Sequence, residues 1–244
     1  MNIRVAYDHQ VFSLQEYGGI SRYYIELANG LQDSNIIKPD IYAPLYVNHY
    51  LRESTARYAG SLLWLNSAYL KKGIIYRFNS ALSNLLYFQT KPDIVHETYY
   101  SNKPIIKGKT IILTIFDMIE EKYGNQKSGT YSSSIKKAAV ERADHIICIS
   151  YNTKNDLMEL FGVDDNKISV IHLANKEPDL SKKLAISMVY DRPFILYVGP
   201  RLGYKNFKTF CLAYILNSRV NKEIDIVCFG GGKFNESEVE LLKI

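Results

Sequence analysis

With 244 residues, 47% of them hydrophobic and 23% charged, the chain has the composition of a folded globular protein, not of a disordered or low-complexity one. Thirty Lys and Arg against twenty-five Asp and Glu leave a net charge of +5. That excess is too small for a nucleic-acid binder, but it suits an anionic substrate or an acidic membrane surface. The opening MNIRVAYDHQ has no long apolar core and no small-residue cleavage site, so no signal peptide is expected, and the apolar run Leu62–Leu65 is far too short to span a membrane.

In chain order, Ile3–Tyr7 reads as a β-branched strand and Gly18–Leu31 as a helix with Ile20, Tyr24, Leu27 and Leu31 on one face. Pro39–Tyr42 is a second strand. Ser61–Phe88, apolar and aromatic, is expected as two helices broken near Gly73. Strands follow at Asp93–His96, Thr110–Ile115, His145–Ile149 and Lys167–His172, with helices at Ser134–Arg142 and Asn152–Phe161, the latter stopped by Gly162. Near-continuous Val and Ile runs alternating with helices are the pattern of a parallel sheet covered on both faces. The polar stretch after His172 carries two prolines and reads as a linker. The alternation then restarts with strand Phe194–Val198, helix Lys205–Leu216, strand Glu223–Phe229 and helix Glu236–Ile244. The expected organisation is therefore α/β: a complete Rossmann-like domain over 1–178, a linker over 179–192, and the first βαβα part of a second Rossmann-like domain over 193–244.

Three segments point to chemistry. Tyr17–Leu27 (YGGISRYYIEL) opens the first helix after the first strand, and Gly18 and Gly19 let a ligand approach backbone N–H groups at a helix start, a place that favours an anion. Tyr197–Asn206 (YVGPRLGYKN) ends a buried strand at Gly199. Arg201 and Lys205, four apart around the turn, are expected to converge on one anion, with the Arg fork and the Lys point charge suited to a diphosphate leaving group. Phe229–Phe234 (FGGGKF) places Gly230, Gly231 and Gly232 straight after a strand; it does not meet the spacing of the phosphate-binding loop, yet can fold closely over a sugar or phosphate. Cys148, Cys211 and Cys228 lie in apolar runs without zinc spacing and the five histidines are scattered, so reduced buried thiols and no metal site are expected.

The order of GGISRY, TIFDMIEEKY, ADHIICISYNTKNDL, KISVIHLA, FILYVGPRLGYKNF and IVCFGGG resembles the group 1 (family 4) retaining glycosyltransferases of GT-B architecture. The resemblance implies an acceptor domain facing a donor domain that holds a nucleotide sugar, a cytoplasmic enzyme without a metal ion, and transfer of a hexosyl unit, with mannosyl among the candidates, to a polysaccharide or lipid-linked acceptor. It also implies roles. Arg201 and Lys205 match the basic pair on the donor diphosphate, Gly18 and Gly19 the loop facing the same phosphates, and Asp117 the loop lining the acceptor side. Phe116 stands where relatives commonly carry His, and His96 is the remaining histidine that could face that cleft. The family's Glu-x7-Glu element falls beyond Ile244, so the chain by itself is expected to be truncated and inactive. Two further readings stand beside this one: a non-catalytic sugar- or partner-binding remnant, and an acceptor subunit working with a separate donor-domain subunit. The mixture of Lys71, Lys72 and Arg77 with Trp64, Tyr69, Tyr76 and Phe78 allows peripheral contact with an inner membrane, against the favoured reading of ordinary core packing.

Overall fold

A computed structural model describes residues 3–34, 36–62, 70–106, 110–123, 133–175, 192–201 and 203–242. The chain divides into two units, Met1–Asn175 and Lys176–Ile244. Most of the expected linker lies outside the described residues.

The first unit runs β1 (Ile3–Tyr7), α1 (Gln10–Leu14), α2 (Gly19–Asp33), β2 (Ile37–Tyr46), β3 (Arg57–Leu62), α3 (Leu70–Thr90), β4 (Ile94–Glu97), β5 (Thr110–Ile115), α4 (Ile119–Tyr123), α5 (Ser133–Arg142), β6 (His145–Cys148), α6 (Tyr151–Phe161) and β7 (Ile168–Val170). Its seven strands are all parallel, in the order β3-β2-β1-β4-β5-β6-β7. Val5, Val95, Leu113, Ile115 and Ile146 are buried, as a sheet covered on both faces requires. One core cluster joins β1 and β2 to α1 and α2, and a second joins β5 to β7 with α5 and α6. Helix α6 shows why its ends were legible. Ser150 Oγ caps it by accepting from Thr153 N at 3.1 Å, and Gly162 closes it at φ +67° with its N–H on Met158 O.

Besides the short helices α4 and, in the second unit, Val220–Glu223, which the sequence pattern does not mark, three differences from the sequence expectation bear on the first unit. Helix α1 is only five residues long, too short to show a period. Strand β3 adds an unexpected edge, and its register against β2 shifts between Tyr42 and Leu45, across Pro44, which has no N–H for the ladder. Gly60 on β3 is required there, because a Cβ would lie 1.7 Å from the Ala43 carbonyl oxygen. In place of two helices broken near Gly73, the structure has the single helix α3. A glycine inside a helix costs about 1 kcal/mol relative to alanine, and along α3 the burial of Ile75 and the hydrogen bonds of Asn79 with Leu45 and Ser13 offset it. Trp64 and Tyr69 lie outside the described residues.

The second unit contains β8 (Phe194–Val198), α7 (Phe207–Leu216), α8 (Val220–Glu223), β9 (Asp225–Phe229) and α9 (Glu236–Leu241). β8 and β9 pair in parallel from Phe194↔Asp225 to Val198↔Phe229. Asn235 and Glu238 form a reciprocal capping box that starts α9.

Candidate functional site

In the first unit the strand order reverses between β1 and β4, the place where open parallel sheets gather ligands outside their carboxyl ends. Leaving β1, the chain enters Asp8, which is fully buried. Its carboxylate accepts from Gln10 N (2.9 Å), Gln10 Nε2 (3.1 Å), Thr98 N (3.2 Å) and Thr98 Oγ1 (2.6 Å). β4 ends at Glu97, whose carboxylate takes Arg142 Nη2 at 2.7 Å and Nε at 3.3 Å. Burial pushes both carboxyls up, Glu97 to about 7, while the hydrogen bonds each receives pull the other way. This network ties β1, β4 and α5 together at the switch point. Sequence reasoning missed it; the available signal was a polar residue, Asp8 or Glu97, at the carboxyl end of an apolar strand.

Gly18 is the N-cap of α2, and Gly19 is exposed at its first turn. Ser21 N donates to Gln15 Oε1 (3.3 Å) and Arg22 N to Gly18 O (3.1 Å), so the turn holds a fixed course. Asp117, after β5, is exposed, and its Oδ1 accepts from Ile119 N at 3.1 Å to start α4. Beneath it Lys136 Nζ donates to the Asp117 carbonyl (3.2 Å) and pairs with Glu121 Oε2 at 2.7 Å. The Lys136 and Glu121 side chains are only 5% and 3% exposed. Removing one partner from such a pair costs about 3–5 kcal/mol, so Lys136 positions the Asp117 loop. Nothing in the residues around Lys136 marks this role in advance.

His96 does not line an acceptor cleft. It is 4% exposed, packs against the rings of Tyr7 (5.4 Å) and Tyr24 (5.1 Å), and its Nε2 meets Thr114 Oγ1 at 2.9 Å. Burial lowers its pKa to about 3, so the ring is neutral. Phe116 packs edge-on against Tyr23 at 5.3 Å, which makes it part of the same aromatic group.

In the second unit, Arg201 and Lys205 do not form the expected pair. The Arg201 side chain is 3% exposed and turned inward. Nε donates to Glu238 Oε1 (3.0 Å), Nη1 to Gly230 O (3.1 Å), and Nη2 to Gly232 O (3.1 Å) and Lys233 O (3.0 Å), with the guanidinium carbon 4.4 Å from the Phe234 ring centroid. A desolvated guanidinium needs acceptors for its donors, and the glycine loop supplies them. Gly230, Gly231 and Gly232 have φ of +83°, +74° and +71°, so the loop turns left-handed and aims its carbonyls at Arg201. A Cβ on Gly231 would also lie 2.9 Å from Gly199 O. The structure thus brings Gly199, Gly230, Gly231 and Gly232 together around Arg201. Lys205 is exposed, its Nζ 5.1 Å from the ring centroid of Tyr204. Glu238, held by Arg201 and by the Asn235 N–H, has its carboxyl lowered below the usual range.

All three cysteines are free, and burial raises the Cys148 thiol to about 11. Among the described residues no group of three or more His, Cys, Asp or Glu could hold a metal ion, and no helix is long and apolar enough to cross a membrane.

Residues 17–174 match the family described as Glycosyltransferase Family 4. The O-antigen chain mannosyltransferase RfbU of Salmonella typhimurium is 27% identical over 139 residues, which are 56% of this chain and 36% of that protein. This chain therefore matches little more than a third of that relative's length. Among solved structures, the UDP-GlcNAc 2-epimerase of Neisseria meningitidis bound to UDP-GlcNAc superposes with a TM-score of 0.54 at 15% identity, covering 100% of this chain and 69% of that one. Anabaena HepE in complex with UDP and glucose gives 0.53 at 11%, covering 100% and 64%. The lipopolysaccharide outer core galactosyltransferase WaaB in its apo form gives 0.50 at 16%, covering 100% and 71%. An epimerase and a galactosyltransferase share this α/β architecture, so the fold alone does not name the reaction. The family match reaches from the glycine turn before α2 to the end of the first unit, and on it the chain belongs to Glycosyltransferase Family 4.

Proposed function

We infer that the protein transfers a hexosyl unit, mannosyl by its similarity to RfbU, from a nucleotide sugar to a polysaccharide or lipid-linked acceptor, with retention of anomeric configuration and without a metal ion. The observation that carries this reading is the family match over residues 17–174. The carboxyl edge of the first unit's sheet, with Asp117 on it, supports an acceptor role there, and the helix start at Gly18 and Gly19 supports binding of an anionic donor group. In the second unit, exposed Lys205 is the cation that meets the donor diphosphate. A positive charge placed where the leaving group gains negative charge lowers the barrier. Arg201 acts behind it, shaping the glycine loop through the carbonyls of Gly230 and Gly232.

Calorimetric titration of the 244-residue chain with UDP, GDP and ADP tests the donor half of this reading. One nucleoside diphosphate should bind in preference to the others. Failure of all three to bind would contradict the donor assignment.

A further inference from the structure

We propose that Tyr17 is a stacking platform for a pyranose ring of the saccharide acceptor. The proposal rests on the glycosyltransferase reading and names a residue that holds the acceptor.

Tyr17 is 64% exposed, yet its ring is held in one orientation. His49 lies parallel to it, with centroids 4.6 Å apart and planes 2° from parallel, and Tyr50 meets it edge-on at 5.5 Å and 83°. The backbone around it is equally fixed. His49 N donates to Glu16 O at 3.0 Å, and the fully buried Asn48 sends Nδ2 to Gln15 O at 2.8 Å. The chain after β1 and the chain after β2 are thereby laced into one surface at the carboxyl edge of the sheet. Tyr17 directly precedes Gly18, the N-cap of α2.

A side chain that does not fill a core gains little from being immobilised in water, and ordering it costs rotamer entropy. Holding an open aromatic face rigid removes that cost from a later binding step. The face of an aromatic ring is negative and attracts weakly positive C–H groups. A pyranose offers such C–H groups on one face and hydroxyls at its rim. A nucleobase is the other flat ligand that stacks on tyrosine, but it arrives with a diphosphate. Here Glu16 is the adjacent residue and Glu53 lies one turn of 3-10 helix from Tyr50, with Arg52 between. The two carboxylates and one guanidinium beside the ring favour a neutral polyhydroxylated ring on Tyr17 itself, while the anion-favouring N–H groups belong to the helix start next to it at Gly18 and Gly19.

The test is NMR on the full chain, following the Tyr17 ring resonances during titration with mannose-containing oligosaccharides and, separately, with UDP and GDP. The oligosaccharides should shift the Tyr17 resonances. Tyr17→Phe should keep their affinity within about threefold, and Tyr17→Ala should lower it about tenfold or more with an unchanged melting temperature. Nucleotide affinity should be the same in all three proteins. Saccharide binding that is indifferent to Tyr17→Ala overturns the platform but leaves the transferase reading standing. Nucleotides shifting Tyr17 in place of sugars overturns it in favour of a base-stacking site. Binding of neither ligand class overturns both.

Discussion

Arg201 and Glu238 lie 37 residues apart and meet in a hydrogen-bonded ion pair of 3.0 Å, inside a ring of carbonyls from the glycine loop. The pair joins the turn after β8 to the start of α9, and it uses the guanidinium to organise backbone. Arg201→Ala should leave Glu238 and several carbonyls without their donor. The expected loss is about 2–4 kcal/mol from the second unit, with faster amide exchange over Gly230–Lys233. Unchanged exchange in that loop would show that Arg201 does not hold it.

Lys205→Ala should behave in the opposite way. The side chain is exposed, so stability should change by no more than about 0.5 kcal/mol. Affinity for the preferred nucleoside diphosphate should drop about tenfold or more, the order expected for one lost charge-assisted contact. Nucleotide titrations and thermal melts of the same preparation read both effects. Equal affinities in the two proteins would remove Lys205 from the donor site.

The buried ionisable groups predict how stability depends on pH. His9 and His96 have pKa values lowered to about 3 by burial, so between about pH 3 and 6.5 the unfolded chain binds more protons than the folded one. Their contribution is present above about 6.5 and is lost as pH falls. Glu97 is raised to about 7, so its contribution has the opposite sign: present at low pH and lost as pH rises from about 4.5 to 7. One proton corresponds to a slope of about 1.4 kcal/mol per pH unit. Urea denaturation across pH 4 to 7.5 should therefore show a shallower acid loss in His96→Gln and, in Glu97→Gln, a smaller decline toward neutral pH. Identical slopes in all three proteins would mean that these groups titrate as they do in the unfolded chain.

Helix α3 divides its surface. Ile75, Asn79 and Ser83 are buried, while Arg77, Phe78 and Leu85 face solvent. If the exposed basic and apolar groups touch a membrane, the protein should co-sediment with anionic vesicles at low salt and come off at high salt. Equal binding to neutral vesicles, or none, would assign α3 to core packing alone.

Much of the fold was legible because its strands are the kind that sequence states most clearly. Ile3–Tyr7, Thr110–Ile115 and Phe194–Val198 coincide with the expectation residue for residue, each an apolar run with few polar interruptions. Strand β3, RYAGSL, sits at the sheet edge with polar and small residues, so nothing in its composition marks it. The turns carrying Gly18, Asp117 and Arg201 were placed correctly, since strand ends and glycines mark them. The direction of the Arg201 side chain was not legible, because it depends on acceptors 29 to 37 residues further along the chain. The same holds for His96, whose burial follows from Tyr7 and Tyr24 on other elements.

The most direct measurement is a transfer assay on the product of the whole reading frame. It uses a panel of UDP-, GDP- and ADP-sugars with mannose-containing acceptors, and NMR reads the anomeric configuration of the new linkage. The account predicts release of one nucleoside diphosphate per sugar transferred, a product with the donor's configuration, and loss of turnover by orders of magnitude in Lys205→Ala. Inverted product, or no release from any member of the panel, would contradict it.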